Sequence, residues 1–235
     1  MQVVILCGGK GTRMSSLTKE TPKPLLKIGD KAVLWHLMQR FSHFGYKEFI
    51  ICLGYLGDQI KEYFSHEENL EKDWKIYFVD TGLESNKSER IQKVQHLITE
   101  NNFLLSYGDD LSAVNVPALV DFHHRNGKTV TLTSVPLRSD FGVLELNDKN
   151  HVKKFREKPR LSEYWINGGF YVCSKKVLNH LYLGEFEEKI LPELAEKEEV
   201  IAFKFEGFWK SMNTNKDMIE FNQMVEAGEL PWKNW

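Results

Sequence analysis

The sequence predicts an α/β fold built on a mostly parallel sheet with helices on both faces. Three observations predict it. Strand-length apolar runs alternate with helix-spaced segments over roughly the first 135 residues. The runs are unbroken rather than alternating, as in strands covered on both faces. The first of them, Val3 to Cys7, empties into a glycine-rich turn, Gly8-Gly9-Lys10-Gly11-Thr12-Arg13.

The elements follow in order. Lys31 to Phe44 places apolar residues at 33, 34, 37, 38, 41 and 44, which is helical spacing, with Asp30 as N-cap and Gly45 as the residue just past the end. Phe49 to Leu53 is a second buried strand, and Asp58 to Phe64 a short helix. Lys75 to Val79 and Phe103 to Tyr107 are strands separated by a helix around Glu89 to Ile98. Val116 to Asn126 is a helix with Pro117 near its start and Gly127 past its end, and Thr129 to Val135 a strand. Beyond residue 140 the pattern shifts to short strands, Gly142–Leu146, Val152–Arg156 and Gly169–Cys173. Helical stretches return around Phe186 to Lys197 and Asn213 to Ala227. No repeat or flexible linker divides the chain, so residues 1–235 are expected to form one domain.

Composition narrows the function. A net charge of −2 over 235 residues gives no basic field for nucleic acid. No apolar run reaches the length that spans a bilayer, and the N-terminus lacks the pattern of a secretory signal. Cys7, Cys52 and Cys173 are odd in number and lie far apart, which fits reduced core thiols in a cytoplasmic protein. His123 and His124 have no partners at metal-ligand spacing and read as solvated or helix-face residues. The tryptophans near the C-terminus, Trp209, Trp232 and Trp235, read as packing or as contacts in a homo-oligomer. Glu185 to Glu199 reads as a solvated helix face.

Four constellations carry chemistry. The three glycines after the first strand let backbone amides wrap a polyphosphate, and Arg13 adds a charged planar fork; the same residues also suit an ordinary tight turn. Their spacing fits neither a Walker A loop nor a dinucleotide fingerprint. Pro22-Lys23-Pro24 presents one lysine from a stiff backbone. Tyr107-Gly108-Asp109-Asp110 puts carboxylates at a strand's carboxyl end, where Mg²⁺ or a capped turn is equally served. Arg156-Glu157-Lys158-Pro159 fixes another lysine, and Asn167-Gly168-Gly169 is a turn that approaches a ligand closely or closes a hairpin.

In this order the motifs resemble the nucleotidyltransferases that activate sugar phosphates, and more closely the glucose-1-phosphate cytidylyltransferases. Trp35-His36, Ser42-His43-x-Gly45, Gly54-Tyr55, Val79-Asp80-Thr81-Gly82, Gly207-Phe208-Trp209 and Pro231-Trp232-Lys233 extend the resemblance over the whole chain. It implies a doubly wound, Rossmann-like nucleotide-diphospho-sugar transferase fold with a small added β region. It implies Mg²⁺-dependent transfer of CMP from CTP to the phosphate of a small acceptor, with release of pyrophosphate. Gly8, Gly9, Gly11, Thr12 and Gly108 would hold the nucleotide, with Arg13 on its β and γ phosphates and Thr81, Gly82 and Arg90 near the base. Lys23 would cover the α-phosphate. Asp109 would ligate Mg²⁺, helped by Asp110 and Asn213. Lys158, Glu157, Asn167 and Gly168 would face the acceptor.

Two departures stand out. The family's Met-Asp-Thr is here Met212-Asn213-Thr214, which replaces a carboxylate by a weaker neutral ligand. The stretch between Phe64 and Trp74 is short and charged. With the shortened stretch the chain resembles relatives that cytidylylate phosphorylated glutamine for capsule phosphoramidate, and that resemblance implies a phosphorylated amino acid, phosphoglutamine, as acceptor. A sugar 1-phosphate acceptor and a non-catalytic nucleotide sensor are the alternatives.

Overall fold

Val3–Leu6 (β1) is buried along its whole length because strands lie on either side of it and helices cover both faces. The computed structural model describes residues 1–11, 14 and 18–233. After β1 come the two-residue strands Lys27–Ile28 (β2) and Lys31–Ala32 (β3), the helix Val33–His43 (α1), Glu48–Leu53 (β4), the helix Gly57–Tyr63 (α2) and Lys75–Asp80 (β5). The helix Lys87–Val94 (α3), Asn102–Tyr107 (β6), Asp110–Ser112 (β7) and the helix Val116–Asn126 (α4) follow. The second half holds Val130–Arg138 (β8), Val143–Leu146 (β9), Val152–Arg156 (β10), Arg160–Ser174 (β11), the helix Leu191–Glu196 (α5), Val200–Lys204 (β12), Trp209–Ser211 (β13) and the helix Asn215–Glu226 (α6).

Seven strands form the central sheet in the order β12-β8-β11-β6-β1-β4-β5. Every pairing in it is parallel except those of β11 with β6 and β8. Period-two side-chain alternation along β1 splits the interior into two cores. Val3 and Ile5 join α1, Phe221 and Trp232 on one face. Val4 and Leu6 join Ile91, Val177 and Phe186 on the other. Cys7, Cys52 and Cys173 are free, buried thiols whose pKa values burial raises, to about 12 for Cys52.

Several local expectations change. Asp30 does not cap α1: Ala32 stands at its N-cap, because Lys27–Ala32 form a ribbon and the helix starts straight out of it. Gly45, just past that helix, takes φ +86°, as its position demands. The helix expected around Glu89 begins earlier, at Lys87, where Asn86 and Glu89 form a reciprocal capping box. Asn167-Gly168-Gly169 is not a turn. It is a bulge inside the fifteen-residue strand β11, marked by a register shift against β8 between Asn167 and Tyr171. The segment read as a solvated face buries Phe186, Ile190 and Leu194. His123 is likewise buried rather than solvated, held by Thr131 and Asn102.

Candidate active site

From β1 the chain builds outward through β4 to β5, then returns to lay β6 against the other side of β1. Such a switch point leaves a crevice at the strands' carboxyl ends. A cleft of about 540 Å³ opens there, with Gly8, Gly9 and Gly11 on one wall and Tyr107, Gly108 and Asp109 on the other.

The glycine wall rests on Arg90. Its guanidinium donates to the carbonyls of Gly8 (3.1 Å), Leu53 (3.1 Å) and Gly82 (2.9 Å) and to the Thr81 hydroxyl (2.7 Å). A Cβ at Gly8 would collide with it, so the guanidinium and the loop fit only with glycine at this position. Thr81 is fully buried and donates to the Leu53 carbonyl. The resemblance placed Thr81, Gly82 and Arg90 near the base. In the structure their polar groups brace the loop; Arg90 also lines the cleft, and Thr81 and Gly82 do not. Thr12 and Arg13 lie outside the described residues.

Lys23 projects from the 3₁₀ turn Lys23–Leu25, between two buried prolines. Its ammonium pairs with the Asp109 carboxylate and donates to Asn213 Oδ1 at 3.1 Å. Asn213 arrives from far along the chain because β13 pairs with β7 and the Met212 amide donates to the Asp109 carbonyl at 2.9 Å. One cation therefore already sits between two side-chain oxygens. Oxygen donors converging on a cation-sized point suit Mg²⁺, which takes one or two carboxylates and completes its shell with phosphate and water. Among the described residues no cluster of three or more His, Cys, Asp or Glu would cage a metal without such help. Asp110 is buried against Ser211, and burial, with Asp109 beside it, raises its pKa well above the carboxylate range. Gly169, at φ +73°, leaves room for that carboxyl, which any Cβ would strike.

Of the residues that the resemblance set toward an acceptor, Asn167 lines the cleft with both polar ends engaged: Nδ2 donates to the Tyr171 hydroxyl, and Oδ1 accepts from the Gly169 amide at 3.0 Å. The Gly168 carbonyl accepts from Trp209 Nε1 at 2.7 Å, so Trp209 is part of the cleft wall while Trp232 is buried in the core. Trp235 lies outside the described residues. Glu157 and Lys158 are not brought in. They are exposed at the end of the separate β9–β10 ribbon, where Lys158 takes φ +44° as the chain turns into β11. Lys87 and Glu185 line the cleft instead. Sequence reasoning passed over both, since neither has a motif around it.

Comparison with known proteins decides the class. Residues 2–228 match the family described as Nucleotidyl transferase. The chain belongs to that family. This transferase is 40% identical over 256 aligned positions to the probable glucose-1-phosphate cytidylyltransferase of Bacillus subtilis, and 37% identical over 257 to the glucose-1-phosphate cytidylyltransferase of Salmonella typhimurium; each alignment covers 100% of both chains. HddC from Yersinia pseudotuberculosis, solved in complex with GMP-PN, superposes with a TM-score of 0.73 at 23% identity, covering 95% of the transferase and 99% of HddC, which shows the shared fold. No helix among the transferase's described residues is long and apolar enough to cross a membrane.

Proposed function

We propose that the enzyme transfers CMP from CTP to the 1-phosphate of a sugar, glucose 1-phosphate first among them, with release of pyrophosphate. One observation carries the chemistry: Lys23, Asp109 and Asn213 converge at the switch point, facing a glycine loop across one cleft. The two full-length cytidylyltransferase relatives support both the nucleotide and the acceptor.

The reaction asks for charge and position. An acceptor phosphate oxygen bonds to the α-phosphorus of CTP as the bond to the pyrophosphate oxygen breaks; both partners are anions, so cover for negative charge lowers the barrier. Gly8, Gly9 and Gly11 offer backbone to the triphosphate, and Lys23 reaches the α-phosphate region from the opposite side. Asp109 and Asn213 would hold Mg²⁺, which when bound neutralises phosphate oxygens. No side chain need act as nucleophile. Lys158 enters this scheme only if its ribbon folds over the cleft.

The phosphorylated amino acid expected from sequence is the less supported acceptor, because both relatives act on glucose 1-phosphate by name. Asn213 still favours it. The alignment with the Bacillus relative runs over 256 positions against 235 residues here, so that relative carries residues this chain lacks. Pyrophosphate release from CTP with Mg²⁺, measured across glucose 1-phosphate, other sugar 1-phosphates and phosphorylated amino acids, separates the readings. The fastest release is expected with glucose 1-phosphate. A phosphorylated amino acid winning in direct competition would replace it, and no release with any acceptor would support a sensor.

A further inference from the structure

Glu187 lies in a charge-rich segment, yet its carboxylate contacts two residues of the cleft lining, Lys87 and Tyr107. Residues Phe186–Ile190 form a π-turn: the amides of Ile190 and Leu191 reach back five residues, to the carbonyls of Glu185 (3.3 Å) and Phe186. The inserted residue leaves Phe186 and Ile190 in the core and presents Glu187 to Tyr107, the kind of local distortion that recurs at functional sites.

A directed chain of hydrogen bonds starts there. The Glu187 carboxylate pairs with the Lys87 ammonium and accepts a hydrogen bond from the Tyr107 hydroxyl. With its one hydrogen engaged there, the Tyr107 oxygen accepts a hydrogen bond from the Tyr171 hydroxyl at 2.9 Å. Tyr171 in turn accepts from Asn167 Nδ2, and Asn167 Oδ1 holds the Gly169 amide. Burial keeps both phenols protonated, so the direction is set by the carboxylate at its end, whose charge polarises every bond behind it. Lys87 begins α3 on the glycine-loop side of the cleft and also lies 4.6 Å from the Tyr107 ring centroid. Asn167 sits in the β11 bulge on the other side. Lys87 is 43% exposed and Glu187 27%, and an ion pair so open to water adds little to stability. What it fixes is orientation.

We infer that Lys87 and Glu187 are positioning residues, a latch that sets Asn167 and the bulge for the acceptor through Tyr107 and Tyr171. This rests on reading the cleft as the transfer site with the acceptor beside Asn167. The test uses the full chain, with kcat and KM measured by pyrophosphate release for CTP and for glucose 1-phosphate, or for the panel acceptor that wild type turns over faster. Glu187→Ala and Tyr107→Phe should each raise the acceptor KM roughly tenfold or more, as misplacing a reacting group does. The KM for CTP should move by less than about twofold, because uniform binding of the nucleotide is untouched. The double variant should be no worse than the worse single, since groups acting as one unit are not additive. Glu187→Gln, which keeps an oxygen for Tyr107, should recover part of the loss. Equal changes in both KM values, or multiplied losses in the double variant, would overturn the latch and leave a structural role. A second measurement needs no acceptor: in proton–nitrogen spectra of the substrate-free enzyme, the Gly169 amide and Asn167 side-chain amide should shift in Glu187→Ala while distant resonances stay in place. Unshifted signals would sink the inference. Wild type inert toward every acceptor would count against the transfer reading alone, and these resonances would still decide the latch.

Discussion

The two ends of the central sheet carry hollows of similar size and unlike chemistry. The cleft at the carboxyl ends of β1 and β6 measures about 540 Å³. At the amino ends, where Met1 enters β1 and Asn102 begins β6, a hollow of about 420 Å³ is lined by Met1, Glu100, Asn101 and His124 among others. At that end the polar groups satisfy one another: the Met1 ammonium pairs with Glu100 at 2.7 Å, and His123 beneath it is held by Thr131 at 2.8 Å and Asn102 at 3.3 Å. At the carboxyl end, Gly9 is exposed at the cleft, and a lysine shares its charge between groups that themselves suit a cation. Volume does not make a site. Strand polarity does, because loops leaving the strands converge where the chain reverses its order.

The largest effect that could break this comparison is at Lys23. Lys23→Ala should lower kcat/KM by about 10²-fold or more, the loss of one preorganised charge contact at a reacting centre. The fold should survive, and near-normal pyrophosphate release would remove Lys23 from the site. Next comes the floor beneath the glycines. Arg90→Ala removes the donor shared by the Gly8, Leu53 and Gly82 carbonyls; the first two keep the Tyr55 and Thr81 amides, so the loss, read by denaturant titration, should be about 1–3 kcal/mol, the order of one orphaned acceptor. An unchanged midpoint would mean that Arg90 is free for substrate after all.

The amino end makes a pH-dependent prediction. Burial, with His124 nearby, lowers the His123 pKa to about 4 from 6.5. The folded state therefore refuses a proton that the unfolded chain accepts. Stability from this group is complete above pH 6.5, falls as pH drops toward 4, and amounts to roughly 3 kcal/mol over that window. His123→Gln should flatten that slope without changing pyrophosphate release at neutral pH, which urea titrations across the window and one activity assay would check. The smallest effect is expected at Lys158. Standing on an exposed ribbon, Lys158→Ala should reduce kcat/KM less than about tenfold, in keeping with a solvent-exposed cation. A loss matching that at Lys23 would show that the ribbon closes over bound substrate.

Local chemistry made much of the fold legible. Val116–Asn126 was bounded correctly because Pro117 and Gly127 each have a fixed place at a helix end. The first strand and its glycine turn were legible because an unbroken apolar run has few other homes. Strand β12 escaped notice, since Val200–Lys204 is short, half exposed and bordered by charge. Strand β11 was cut short because Asn-Gly-Gly has the composition of a turn, and only pairing with β8 and β6 on either side makes it a bulge. At the site, Lys23 and Asp109 were readable from rigid or strand-end neighbours. Glu187 was not: its partners Tyr107 and Lys87 lie 80 and 100 residues away, and nothing within a few residues announces them.

The pairing of Lys23 with Asp109 and Asn213 has a thermodynamic consequence. Substrate binding is an exchange of partners, not an addition of contacts. A bare anion such as inorganic phosphate could capture the ammonium only by abandoning a partly buried carboxylate, so the net gain is the difference of two similar interactions. A triphosphate that travels with its own divalent counter-ion brings a replacement for both halves, the anion for Lys23 and the cation for Asp109. If the cleft is the transfer site proposed above, it would disfavour small phosphates that arrive without a cation, through the stoichiometry of the swap rather than through shape.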